Sequence, residues 1–161
     1  MIEYTILRAS LPVTELLERY LEIDRFEQGC RSCGNYGTNP GCPPHDFDVE
    51  ELWLHYDRLE LYAVSIPGDS SWDEADRWLT EQLLALEKSL PGSLCLCPGS
   101  SGGLSTSGMH YSIQSLGGNV EKLSRERLGL FLQWGIAGAA PERLSLVGGL
   151  LLPEGCGGVT L

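Results

Sequence analysis

The residues best suited to chemistry are three cysteines in one short, glycine-rich stretch. Cys30 and Cys33 are separated by two residues, and Cys42 follows nine positions after Cys33. Two cysteines three positions apart wrap one metal atom or cluster, because the intervening pair forms a tight turn whose amides point at the sulfurs. The glycines between Cys33 and Cys42 let the chain bend back on the same centre. This spacing predicts a metal or cluster site at the three thiols.

Several groups are candidates for a fourth ligand. His45 lies three positions after Cys42, close enough to bind the same centre through a ring nitrogen. The other candidates are Cys95, Cys97, Cys156 and an open position held by solvent or substrate. Cys95 and Cys97 alternate on a predicted strand, so their sulfurs share a face. That pattern favours two core residues over a second half-site or a redox pair.

The charge of the chain excludes several classes of partner. Its 161 residues carry 11 Lys plus Arg against 22 Asp plus Glu, a formal net charge of -11. Nucleic-acid binding needs a basic surface that releases counterions, so we expect no nucleic-acid partner. Docking on anionic lipid is disfavoured for the same reason. We expect no membrane partner, and the charge favours a cationic protein partner or a small neutral ligand.

The acidic residues and the glycines are concentrated in different halves of the chain. Residues 1–91 hold 18 acidic and 7 basic residues, whereas residues 92–161 hold 4 of each. Of the 20 glycines, 15 lie after position 91. The three clustered cysteines lie in the acidic half, and thiolates bound to zinc or to a cluster keep part of their negative charge. An anionic ligand near these cysteines is therefore disfavoured.

The cysteine usage fits a reducing compartment. The first residues carry Glu3 and no apolar stretch of signal-peptide length, and the apolar run at Leu144–Leu152 is shorter than the roughly 20 residues of a membrane helix. We therefore expect a cytoplasmic protein. In that compartment, closely spaced cysteines are metal ligands or catalytic groups more often than disulfides.

Hydrophobic periodicity predicts the elements that position the cysteines. Strands are predicted over Tyr4–Ala9, Leu59–Ile66, Ser93–Cys97, Leu130–Trp134 and Leu144–Leu152. Helices are predicted over Val13–Glu27, Val49–Tyr56, Trp72–Leu90, Met109–Leu116 and Val120–Leu128, and a loop over Pro98–Gly108. Side chains that can cap helix N-termini precede three of these helices, at Asp48, Ser71 and Asn119.

Alternation of strands and helices predicts an α/β (α+β) fold, a single-domain sandwich over residues 1–161 with a central mixed sheet flanked by helices. Neither half has enough strands to close its own core. The other chemically capable residues fit structural roles better. His55 and His110 are unaccompanied, and the acidic residues at 46–51 fit a helix N-terminus. Trp53, Trp72 and Trp78 lie on the apolar stripes of predicted helices and fit core positions better than stacking platforms. The loop Gly99–Gly103 resembles a phosphate cradle, but no Lys or Arg lies beside it.

These motifs resemble a prokaryotic family of unknown function, whose members are described as predicted metal-binding proteins and are common in anaerobes. The family signature is Cys-x-x-Cys-x-x-Tyr-Gly followed by Cys-Pro-Pro, matched here by Cys30, Cys33, Tyr36, Gly37, Cys42, Pro43 and Pro44. Residues 111–117 and 145–150 also resemble the family. Its members carry a second cysteine-rich segment in mid-chain, and here that region keeps only Cys95 and Cys97. The resemblance implies metal binding and no particular reaction.

Three functions follow as hypotheses, and whether the chain is an enzyme is left open. The first is an iron–sulfur protein, [4Fe–4S] in type, with a redox or accessory role and a redox or protein partner. The Cys42-Pro43 step, which resembles the end of bacterial ferredoxin cysteine runs, favours it. The second is a structural zinc knuckle formed by Cys30, Cys33, Cys42 and His45. The third is thiol–disulfide exchange through Cys30 and Cys33, which lacks the expected βαβ context.

Overall fold

A computed structural model describes residues 4–32, 36–37, 42–98, 110–132 and 142–156. The strands are β1 (Thr5–Pro12), β2 (Arg58–Pro67), β3 (Leu94–Leu96) and β4 (Arg143–Leu152). The helices are α1 (Val13–Arg19), α2 (Ile23–Cys30), α3 (Val49–Leu54), α4 (Trp72–Ser89) and α5 (Val120–Leu128), and a 3₁₀ helix covers Gln114–Leu116. The cysteine loop predicted to form the site begins where α2 ends.

The strands form one sheet in the order β1-β2-β4-β3. The α+β class and the central sheet with flanking helices are confirmed. The sheet was expected to be mixed, but every described strand pair is antiparallel. The chain leaves β1 at Pro12, crosses one face through α1, α2 and α3, and enters β2 at Arg58, which pairs with Pro12. Because β2 starts where β1 ends, the two strands run in opposite directions.

Each face of the sheet supports its own core, because successive side chains of a strand point to opposite faces. On the first face Leu59 and Leu61 belong to a buried cluster with Leu16 of α1 and Trp53 of α3. On the second face Tyr62, Val64 and Ile66 belong to a cluster with three residues of α4, Ala75, Leu79 and Leu83. Strand β2 is therefore buried on both sides, and the described helices and strands form three layers.

The predicted helix N-termini are confirmed in detail. The side chain of Asp48 accepts the N–H of Glu51, at 3.1 Å, and that of Ser71 accepts the N–H of Glu74, at 3.3 Å. Asn119 likewise accepts the N–H of Lys122 at the start of α5. Each cap satisfies a backbone donor that has no partner inside its helix.

The helix predicted over Val13–Glu27 is two helices, α1 and α2. Between them, the backbone of residues 20–22 pairs with residues 117–119 instead of continuing the helix. Glu22 donates its N–H to the carbonyl of Gly117 at 2.7 Å, and Asn119 donates to the carbonyl of Tyr20 at 2.8 Å. This long-range pairing takes over the hydrogen bonds that a continuous helix would have made. Gly29, a residue type that often follows a helix end, lies inside α2.

Two other predicted elements differ in the part of the chain that is described, and residues 109 and 133–134 of these elements lie outside it. Met109–Leu116 was predicted to be helical, but only the 3₁₀ helix forms in its described part. Ser112 and Ser115 each accept the other's backbone N–H with their hydroxyls, at 2.9 and 3.0 Å, which competes with helical hydrogen bonding. Leu130–Trp134 was predicted to be a strand, and residues 130–132 are not extended into one. There Gly129 ends α5 with a φ of 63°, and the N–H of Leu130 bonds back to Ser124.

Candidate metal centre

Two of the three predicted thiol ligands lie in the described part of the chain. Cys30 is the last residue of α2, and Cys42 directly precedes Pro43; both are partly exposed. Cys33 lies outside the described residues, as do residues 34–35 and 38–41. The geometry of the predicted three-thiol group therefore falls outside what the structure describes.

The two described residues between these cysteines fold back onto both ends of the loop. The N–H of Gly37 donates to the carbonyl of Pro43 at 2.9 Å, and the hydroxyl of Tyr36 donates to Glu27 at 3.4 Å. Gly37 has a φ of 74°, a left-handed conformation that favours glycine. Glu27 is three positions before Cys30, so the Tyr36–Gly37 pair links α2 to the segment that begins at Cys42.

His45 is held by a backbone carbonyl and by two aromatic rings. Its Nε2 lies 2.7 Å from the carbonyl oxygen of Ser115. Because a carbonyl can only accept, Nε2 carries a proton and, in the neutral ring, Nδ1 carries the lone pair. The ring centroids of Phe47 and Tyr111 lie 4.9 and 5.5 Å away. These contacts fasten the end of the loop to the 3₁₀ helix and place His45 on the first face of the sheet, where Phe47 and Tyr111 join the core.

A cleft of about 280 Å³ lies between α2, the Pro43–His45 segment and the 3₁₀ helix. Its lining combines apolar side chains with two carboxylates and the imidazole: Ile23, Glu27, Pro43, Pro44, His45, Phe47, Asp48, Val49, Ser115 and Gly117. The peptide bond between Pro43 and Pro44 is cis. The cleft therefore adjoins the described ends of the cysteine loop, and no Lys or Arg is among the residues described as lining it.

Cys95 and Cys97 lie on the opposite face of the sheet from His45. Both are buried in the core beneath α4, with 3.7 Å between their sulfurs. The hydrogen bond between the two thiols and burial raise the pKa of the Cys95 thiol. The partly exposed Cys156 packs against the same core. Because the sheet separates them from His45, these three thiols are poorly placed to complete a site at Cys30 and Cys42.

The other histidines and the predicted core tryptophan have structural contacts. The Nδ1 of His55 donates to the carbonyl of Glu51 at 2.8 Å, and His110 lies 3.6 Å from the carboxylate of Glu87. Trp53 is fully buried, as predicted, and its indole donates to the carbonyl of Leu116 at 2.9 Å. The glycine loop considered as a phosphate cradle begins at Gly99 and lies outside the described residues.

Sequence reasoning missed three residues that position the candidate site. The carboxylate of Glu27 accepts a hydrogen bond from the Tyr36 hydroxyl, the carbonyl of Ser115 accepts one from His45 Nε2–H, and Gly117 lies against α2. A carbonyl contact such as that of Ser115 involves only backbone, so the residue type gives no signal. The positive φ of Gly117, 81°, was in principle readable from its place directly after a helical segment.

The cysteines at the two ends of the loop fit a metal bound by thiolates. The described residues alone do not form a complete metal site. Thiolates at the two ends of a folded-back loop are the ligands that iron–sulfur clusters and structural zinc take. Among the residues with described positions, no group of three Cys, His, Asp or Glu side chains converges to hold a metal ion. The missing member of the predicted set is Cys33.

Comparison of the chain with protein-family models, with curated proteins and with solved structures found no match. The family resemblance of the cysteine motif therefore stays a prediction. Of the helices described, none combines the length and the apolar composition needed to cross a membrane.

Proposed function

We propose that the chain is an iron–sulfur protein in which Cys30, Cys33 and Cys42 bind one cluster, [4Fe–4S] in type, with a redox or accessory role. The observation that carries the proposal is the fold-back of the cysteine loop, in which Gly37 bonds to Pro43 while Tyr36 bonds to Glu27. These bonds draw the segment at Cys42 toward the end of α2, where Cys30 lies. A bound cluster would supply one-electron transfer, or one open iron for a small ligand.

The contacts of His45 are compatible with a cluster held by cysteines alone. Its Nε2 bonds to the backbone carbonyl of Ser115, and its ring packs against the rings of Phe47 and Tyr111. These contacts give His45 a structural role that needs no metal. With Cys95, Cys97 and Cys156 on the other face of the sheet, the fourth position is best assigned to solvent or a small ligand.

The experiment for this proposal is spectroscopic. Protein purified without oxygen should be brown, with broad visible absorption that dithionite bleaches, because thiolate-to-iron charge transfer is lost on reduction. A colourless protein whose spectrum dithionite does not change would contradict the cluster.

A structural zinc knuckle formed by Cys30, Cys33, Cys42 and His45 is the second candidate. One observation favours it: zinc-bound histidines commonly donate their other ring N–H to a backbone carbonyl, as His45 does to Ser115. Zinc would then bind Nδ1. This candidate predicts stoichiometric zinc, no colour, and loss of loop structure on chelation.

A further inference from the structure

A second cavity adjoins the cleft at the cysteine loop, on the outside of α1 and α2. It is an open depression of about 560 Å³ whose floor is formed by three half-buried apolar side chains, Leu17, Leu21 and Ile23. Ile23 lines both cavities, so the two adjoin at the start of α2. We call the two together the acidic groove. Its floor leaves apolar surface that a partner would cover favourably.

The walls of the acidic groove are strongly negative. The carboxylates lining its two cavities belong to Glu22, Asp24, Glu27, Asp48 and Glu50. The guanidinium described among the lining groups is that of Arg25, so five carboxylates against one cation give a formal charge of -4. Two of the carboxylates have a cationic partner, since Arg25 lies 3.0 Å from that of Glu22 and Arg31, which does not line the groove, lies 3.9 Å from that of Glu27.

The accessible carboxylates stand at the helix ends that frame the depression. Asp24 lies in the first turn of α2 and Glu50 in the first turn of α3, and both side chains belong to exposed residues. Neither has a charged partner among the ion pairs described. They are therefore available to a cation from outside the chain.

We propose that the acidic groove docks a partner protein through a short segment in which lysine or arginine side chains flank an apolar one. The apolar side chain would cover the floor, and the cations would meet Asp24 and Glu50. Charge complementarity of this kind selects partners and accelerates their encounter. A second copy of this chain is opposed by its net charge of -11.

The acidic groove lies beside the described ends of the cysteine loop. Its inner end is lined by Glu27, one helical turn before Cys30, and by Pro43, the residue after Cys42. A segment bound there lies beside the thiols proposed to hold the cluster. The placement of a docked partner next to a cluster rests on the proposed function, whereas the docking itself does not depend on which metal is bound.

The test uses a fluorescein-labelled synthetic peptide in which lysines flank two leucines, and a matched peptide with glutamates in place of the lysines. The groove variant is Asp24→Asn/Glu50→Gln. The control is Glu81→Gln/Glu154→Gln, which removes the same charge at exposed positions elsewhere. Fluorescence anisotropy gives Kd for each pair. Metal content and the melting curve are measured on the same protein samples.

The proposal predicts that the lysine peptide binds the unaltered protein and that the glutamate peptide does not. The groove variant should raise Kd about fivefold, the control less than about 1.5-fold, and added salt should weaken binding. Equal effects of the two variants, no binding of the lysine peptide, or a dimer that the groove variant dissociates would each overturn it. Because the cysteines are untouched, an absence of metal would count against the cluster without altering the peptide result.

Discussion

The Nε2–H of His45 donates a hydrogen bond to the backbone carbonyl of Ser115, which lies 70 positions later in the chain. The distance from Nε2 to the carbonyl oxygen is 2.7 Å. This bond joins the segment that follows Cys42 to the 3₁₀ helix on the first face of the sheet. It also fixes the state of the neutral ring, in which Nδ1 carries the lone pair. This contact is compatible with two roles of His45, a structural anchor of the loop and a zinc ligand. Substitutions of His45 distinguish these roles.

We predict that His45→Gln keeps the bound metal and that His45→Ala keeps it with a lower melting temperature. Glutamine retains an N–H donor for Ser115, whereas alanine leaves that carbonyl unpaired at a cost of about 1 kcal/mol. Metal analysis and thermal unfolding of both variants check this. Loss of metal from both variants would identify His45 as a ligand and favour zinc.

Gly117 allows α2 to lie close to the 3₁₀ helix. A Cβ at this position would lie 2.7 Å from Ile23 Cγ1 and 2.8 Å from Ile23 Cα. We predict that Gly117→Ala destabilises the fold by about 2–4 kcal/mol, because it adds a backbone clash to the cost of a positive φ. Urea unfolding measures the change.

Gly129 is the matched control for that substitution. Its φ is also positive, 63°, but a Cβ there would have no atom of the described residues within 4 Å. We therefore expect Gly129→Ala to cost about 1 kcal/mol, the cost of the backbone conformation alone. Similar losses for the two variants would show that the close approach of Gly117 to Ile23 contributes nothing.

Asp76 is 1% exposed on α4, and neither of its carboxylate oxygens has a hydrogen-bond partner among the residues with described positions. Burial, with a smaller contribution from Asp73, raises its pKa to about 6. The hydroxyl of Thr80 offsets part of this rise in the pKa of Asp76, although the hydroxyl and the carboxylate do not form a hydrogen bond of ordinary geometry. The folded protein therefore binds the proton more tightly than the unfolded chain does.

It follows that the contribution of Asp76 to stability is fully present below about pH 4 and is lost as the pH rises through about 6. We predict that Asp76→Asn removes this loss and stabilises the protein at pH 7 by about 1–3 kcal/mol. Urea unfolding of both proteins across this pH range measures the difference. Parallel stability curves for the two proteins would contradict the prediction.

The cysteines should differ in their reaction with iodoacetamide. Cys95 is fully buried and its thiol pKa is raised, whereas Cys156 is partly exposed. Because the thiolate is the reacting species, Cys156 should be alkylated in native protein, and Cys95 and Cys97 only after unfolding. Peptide mass spectrometry identifies the order. The prediction fails if Cys95 is modified as fast as Cys156, and Cys156→Ser is the control that removes the fast reaction.

Features specified by neighbouring residues were predictable from the sequence. Ser71 and Asp48 cap their helices as their spacing from Glu74 and Glu51 indicated, and the apolar stripe of α4 is buried as its periodicity required. The strands β1, β2, β3 and β4 were located for the same reason. Local patterns carry this information because caps and amphipathic faces depend on residues within a few turns.

Features specified by distant residues were not predictable. The break between α1 and α2 depends on pairing with residues 117–119, and the short 3₁₀ helix on the reciprocal bonds of Ser112 and Ser115. The candidate site likewise combines features specified by neighbouring residues with features specified by distant ones. Its cysteine spacing is visible in the sequence, but the partners of His45 and Tyr36 are fixed only by the fold.

Iron and acid-labile sulfide, determined per chain on protein purified without oxygen, test the central proposal most directly. A [4Fe–4S] cluster predicts about four of each, with loss on Cys30→Ser, Cys33→Ser or Cys42→Ser and retention in Cys95→Ser/Cys97→Ser. The control pair lies on the other face of the sheet, so it distinguishes ligand loss from a general effect of removing thiols. Stoichiometric zinc without sulfide, or metal content unchanged by the loop substitutions, would contradict the proposal.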